Sequence, residues 1–134
     1  MQITKNFALL CENTSLDKDN KITLFNVFDV IKVRFALPGV YAKLYIVVNF
    51  ELKGLQPDRK ELVTKLKIKR PDGNYSDVGL SINVSVDPSK EVQTVGAIFG
   101  VHNLQLSEEG VYCAEIFVED NVEAEVKFEV TANS

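Results

Sequence analysis

Tryptophan is absent from the chain, histidine and methionine occur once each, and cysteine occurs twice. Each scarcity removes a class of chemistry. A structural or catalytic zinc needs three or four Cys or His ligands, and His102, Cys11 and Cys113 fall on separate segments. The absence of tryptophan, with Tyr41, Tyr45, Tyr75 and Tyr112 dispersed, argues against a stacked aromatic platform for a sugar. The seven glycines are scattered, so no phosphate-cradling loop forms. No apolar run approaches the ~20 residues of a membrane span. The apolar run at 7–11 is too short for the core of a secretory leader. The protein is therefore expected in the cytoplasm, away from membranes, with both cysteines as reduced thiols. The sequons at Asn13, Asn74 and Asn83 then read as chance. A cationic excess is missing too. Fifteen Lys and Arg against nineteen Asp and Glu leave a net charge of −4, the wrong sign for nucleic acid.

What is present is alternation. The 134 residues fit a single domain, 1–134, long enough to bury a core without metals or disulfides. In VEAEVKFEV, Val122, Ala124, Val126, Phe128 and Val130 point one way, and Glu123, Glu125, Lys127 and Glu129 the other. That is a half-buried strand. The segment 43–53 repeats the pattern, with Leu44, Ile46, Val48, Phe50 and Leu52 inward. In 62–70, Leu62, Leu66 and Ile68 turn in while Lys65, Lys67 and Lys69 turn out. The segment 78–87 buries Val78, Leu80, Ile82, Val84 and Val86. Turn chemistry separates these runs at 16–21, at Pro38-Gly39, at Pro71-Asp72-Gly73 and at 87–90. Pro38-Gly39 suits a type II turn with glycine at positive φ. Residues 21–35 are apolar on both sides, as a bent central strand would be, and 92–101 are likewise mixed. Only 54–63 competes as a short helix. About eight short strands imply an antiparallel β-sandwich.

The stretch LSEEGVYCAEIFVED identifies the kind of sandwich. Tyr112, Ala114, Ile116 and Val118 share the inward face, and Leu106 precedes Tyr112 by six residues, with Gly110 turning the chain between them. A tyrosine so placed at the start of the penultimate strand is a tyrosine corner, its hydroxyl bonding backbone upstream. The spacing resembles that of fibronectin type III and Ig-like domains. Cys113, next to Tyr112, then faces away from the core, so neither an inter-sheet disulfide nor a Cys11–Cys113 bond is expected. Because inward residues are even-numbered on both strands, the last hairpin is expected to turn on Glu119-Asp120-Asn121, with Asn121 left-handed and Val122 inward.

Four stretches, ALLCE (8–12), KITLFNVFD (21–29), RPDG (70–73) and GVYCAEIFVED (110–120), resemble a family of small bacterial proteins of unknown function. That resemblance implies a β-sandwich of similar length. It implies no activity, cofactor or catalytic residue.

No enzymatic constellation emerges. A nucleophilic cysteine needs a base beside it, and the only histidine lies on another segment. DKDNKITLFNVFD has Asp17 and Asp19 in a calcium-loop rhythm, but Lys21, Ile22 and Phe28 occupy positions that need ligands or glycine. The expectation is a non-catalytic protein-interaction or structural module without a cofactor. The alternative is a small-ligand binder, for sugar or for calcium held by Asp17, Asp19 and Asp87 at the loop ends.

The candidate interaction face follows from fibronectin type III strand order. It places the 61–69 strand beside the 41–53 strand, followed by the Tyr112 strand and the C-terminal one. Lys65, Lys67 and Lys69 would border one side, and Glu115, Glu123, Glu125 and Glu129 the other. Tyr45, Val47, Val111, Cys113 and Phe117 would lie between. The partner is expected to be another protein or a second copy of the chain, with no nucleic acid.

Overall fold

A computed structural model describes residues 1–132. Among them nine strands form, β1 (Gln2–Leu16), β2 (Ile22–Phe28), β3 (Val30–Val33), β4 (Gly39–Lys53), β5 (Glu61–Lys69), β6 (Tyr75–Ser85), β7 (Val92–Leu106), β8 (Gly110–Val118) and β9 (Asn121–Ala132). They make two sheets, ordered β2-β1-β4-β7 and β3-β9-β8-β5-β6. This is the all-β, Ig-like sandwich that the alternation implies. Segment 54–63 forms no helix: it turns at Pro57-Asp58 and runs into β5.

The even-numbered apolar residues of β4 and β8 meet between the sheets as expected. Leu44, Ile46, Val48 and Phe50 come from one sheet, and Tyr112, Ala114, Ile116 and Val118 from the other, all buried. Phe128 joins them, and Val126 packs against the core while staying partly accessible. The tyrosine corner closes. Tyr112 Oη donates to the Glu108 carbonyl at 2.8 Å and accepts from the Ser107 N–H at 3.1 Å. Its ring stacks on Phe128 with centroids 5.4 Å apart.

Four local expectations are corrected. Residues 21–35 do not form one central strand. The chain changes sheets at Asp29, so β2 edges the first sheet beside β1 while β3 runs parallel to β9 in the second. Apolar residues on both sides of that run thus serve two sheets in turn.

The final hairpin turns on two residues, with Val118 opposite Asn121 and Glu119 and Asp120 at φ 49° and 70°. Parity is restored by a bulge: Phe117 opposes Val122, Ile116 opposes Ala124, and Glu123 is the extra residue. Val122 therefore faces outward and is 43% exposed.

Pro38-Gly39 is not the expected turn. The Leu37–Pro38 peptide is cis, and Gly39 is not at positive φ. Gly39 is needed for space instead, because a Cβ there would collide with the Phe35 ring.

Finally, β5 does not neighbour β4. Both edges of β4 are occupied, by β1 and β7, so the chain crosses after Lys53 and β5 pairs with β8 and β6.

Candidate functional site: the outer face of the second sheet

The strand order splits the face expected from the sequence. Lys65, Lys67, Lys69, Val111, Cys113, Glu115, Phe117, Glu123, Glu125 and Glu129 share the second sheet, on β5, β8 and β9. Tyr45 and Val47 belong to β4, in the first sheet, and are removed from that face.

Register lines the remaining residues in rows across the strands. Lys67 stands beside Glu115, and Glu115 beside Glu125. The next row reads Lys69, Cys113, Lys127, and another reads Lys65, Phe117, Val122. Lys127 therefore interrupts an otherwise acidic β9. The exposed apolar residues are Val111 and Val122, with half-buried Phe117 and Cys113 between them.

Glu115 is the least expected member, an outward-facing carboxylate that is only 7% exposed. Tyr75, at the start of β6, reaches across β5 to cover it and donates its hydroxyl to Glu115 Oε1 at 2.5 Å. Lys69 Nζ lies 3.8 Å from the other oxygen. Two lysines flank the Tyr75 ring, with Lys67 and Lys69 ammonium groups 5.4 and 5.3 Å from its centroid. Lys67 also lies 5.3 Å from the Phe117 ring, a cation–π arrangement that fixes the lysine over the face. The hydrogen bond to Glu115 raises the Tyr75 pKa, with burial and the Glu115 charge adding to it. Tyr75 was missed from sequence because its role depends on a strand two positions away.

Neither thiol is set up as a nucleophile. Burial pushes the Cys113 pKa up, and Glu125 and Glu115 add to the rise. Burial likewise raises that of Cys11. His102 lies on β7, in the other sheet from Cys113. The loop acids cap their own turns. Asp17 Oδ1 accepts from the Asp19 and Lys21 N–H groups, and Asp87 Oδ1 from Ser89 N–H and Oγ–H. Among the described residues no three His, Cys, Asp or Glu side chains converge as a metal site. Nor is any helix among the described residues long and apolar enough to cross a membrane.

Val47 is only 3% exposed although it faces outward. The β1–β2 hairpin brings Leu16, Asn20 and Ile22 beside that part of the first sheet, where with Phe7, Val47 and Ile98 they line an open cavity of about 430 Å³. The clue in the sequence was the apolar pair Leu16 and Ile22 on either side of a polar turn.

The fold has solved counterparts. The chain is similar over 97% of its length to 30% of the alkylpurine DNA glycosylase AlkC of Pseudomonas fluorescens, solved bound to DNA containing an abasic-site analogue (12% identity, TM-score 0.51). It thus spans less than a third of that enzyme. An immunoglobulin-like protein of Pseudomonas aeruginosa aligns over 98% of both chains, with 12% identity and a TM-score of 0.44. A search of curated proteins finds no match. The match to a family model over residues 6–131 places the chain: it belongs to a family of unknown function, DUF6941.

Proposed function

We propose that this protein is a non-catalytic interaction or structural module whose working surface is the outer face of β9, β8 and β5. One observation carries the reading: Val111 with Cys113, and Phe117 with Val122, form two apolar patches on either side of the Tyr75-covered Glu115, within a rim of β5 lysines and β9 glutamates. Apolar surface inside a charged rim is how a protein-binding surface is built. The partner is another protein rather than a nucleic acid. AlkC was solved with DNA, but here Lys65 already pairs with Asp120 at 3.0 Å and Lys69 with Glu115. The setting is the cytoplasm, a reducing compartment where both cysteines stay free.

A second copy is one candidate partner. Its two-fold axis must run along β8, because that rotation exchanges β5 with β9 and sets Lys67 opposite Glu125. An axis across the strands sets lysine on lysine. The same arrangement opposes Lys69 to Lys127, a mismatch that favours a different protein over self-association.

Light scattering at high micromolar concentration separates the two. A monomer removes the self-partner. Affinity capture from the native host then compares wild type with Phe117→Glu and with Val40→Glu on the exposed part of β4 in the other sheet. Proteins retained by wild type and Val40→Glu but lost by Phe117→Glu support the reading. No captured protein depending on Phe117 would overturn it.

A further inference from the structure

The cavity beside the β1–β2 hairpin is unrelated to the proposed interaction face and lies on the opposite sheet. Its floor is the outer side of β1, β4 and β7, where Phe7 and Ile98 present apolar surface above the buried Val47 and Gly96 presents none. Leu16 and Ile22 of the hairpin form one wall. No lining residue carries a charge; the polar contributions are Asn20, Asn49 and Thr94. One of these is positioned by the protein. Asn6 Nδ2 donates to Asn49 Oδ1 at 2.7 Å, which fixes the amide and turns Asn49 Nδ2 away without a partner among the described residues. Gly96 leaves the floor beside it bare: a Cβ there would stand 3.3 Å from the Val48 carbonyl oxygen and in ordinary contact, 3.8 Å, with that nitrogen.

We propose that this cavity is a binding site for a small neutral molecule with an apolar body and one hydrogen-bond acceptor, a carbonyl or hydroxyl oxygen, set against Asn49 Nδ2. The volume, about 430 Å³, falls within the roughly 300–1,000 Å³ of small-ligand pockets, and an apolar lining with few placed polar groups is their usual make-up. The absence of charge decides the class. An ammonium or carboxylate would give up its hydration without finding a counter-charge, whereas a neutral acceptor finds a donor already oriented. The hairpin wall of Leu16 and Ile22 distinguishes the site from a bare sheet face, because a ligand meets apolar side chains from the hairpin as well as from the sheet.

The test titrates n-alkanamides from hexanamide to dodecanamide into the full chain, followed by calorimetry and by backbone amide NMR. The affinity is expected to rise about fourfold per methylene until the cavity is filled, and then level off. Shifted resonances should be confined to residues 7, 16–22, 47–49 and 94–98. An alkylammonium of the same length should bind at least tenfold more weakly. Gly96→Val, which narrows the floor beside Asn49, should weaken binding at least tenfold at a temperature where the variant is folded. NMR mapping on wild type keeps the test decisive if that variant folds poorly. No saturable binding by any chain length would overturn the proposal. So would affinity that climbs without levelling, equal binding of the charged chain, or shifts scattered over both sheets.

Discussion

Replacing Tyr112 by phenylalanine removes one oxygen atom from the core and leaves its packing intact. The ring is fully buried and stacks on Phe128, so the substitution opens no apolar cavity. What goes is the hydroxyl that links the 107–109 turn to β8. It donates to the Glu108 carbonyl at 2.8 Å and accepts from the Ser107 N–H at 3.1 Å, with a longer contact to the Glu108 N–H at 3.3 Å. Two sound hydrogen bonds contribute about 1 kcal/mol each, and an unsatisfied buried group adds a further cost of ~1–3 kcal/mol. Ser107 and Glu108 are exposed, however, so water reaches much of the backbone that is set free. The loss should therefore be about 1.5–2.5 kcal/mol. For a chain of 134 residues that corresponds to a fall in Tm of roughly 5–9 °C. Urea unfolding followed by far-ultraviolet circular dichroism suits a protein without tryptophan. The midpoint should drop while the slope with urea stays constant, because the surface exposed on unfolding is unchanged. A loss under about 0.5 kcal/mol would mean that the corner does not brace the turn, and the reasoning would fail. A changed slope would point to an altered native or unfolded state instead.

Ile116→Ala, deep between the sheets, should cost ~2–5 kcal/mol by the same assay, against almost nothing if the sheet phasing were wrong. Asp120→Gly should stabilise by about 1 kcal/mol, since glycine occupies the left-handed position without strain, and the lost pair with Lys65 is exposed and weak. Glu119→Gly should give no such gain: its carboxylate is held by Arg59 and by the Val63 N–H, and equal gains at the two positions would refute that difference. Those contacts, Arg59 first, hold the Glu119 pKa below its ordinary 4.5. A depressed carboxylate stabilises the fold above its unfolded pKa, and that contribution disappears as pH falls through the folded one. The stability gap between wild type and Glu119→Gln should accordingly be constant near neutrality and close at acid pH; a gap widening toward low pH has the wrong sign. Cys113, half-buried, should react with a thiol reagent in the native state well before fully buried Cys11, and a reversed order measured by mass would contradict the assigned faces.

Strand interiors were legible because a period of two needs only local information. Each apolar residue of β4 and β8 declares its face through its immediate neighbours, and the tyrosine corner is a contact across five residues. The loop geometry was less so. Glu119 and Asp120 carry no glycine or asparagine signal, and the bulge that lets them form a two-residue turn is a compromise with the Val63 backbone and Arg59, far away in sequence. Residues 21–35 failed for a related reason: apolar side chains on both faces of a run are compatible with a central strand and equally with a crossing between sheets.

The sequence by itself determined the all-β class, the inward residues of the long strands apart from Val122, the outward Cys113 and the lysine and glutamate rows, because alternation is set by backbone geometry one residue at a time. Tertiary structure alone decided which strands are neighbours. Pairing depends on which edges remain free, and β1 and β7 occupy both edges of β4. That one fact separates Tyr45 and Val47 from the charged face, draws Tyr75 over Glu115 in their place, and leaves Val47 beneath an open cavity walled by a hairpin from the start of the chain.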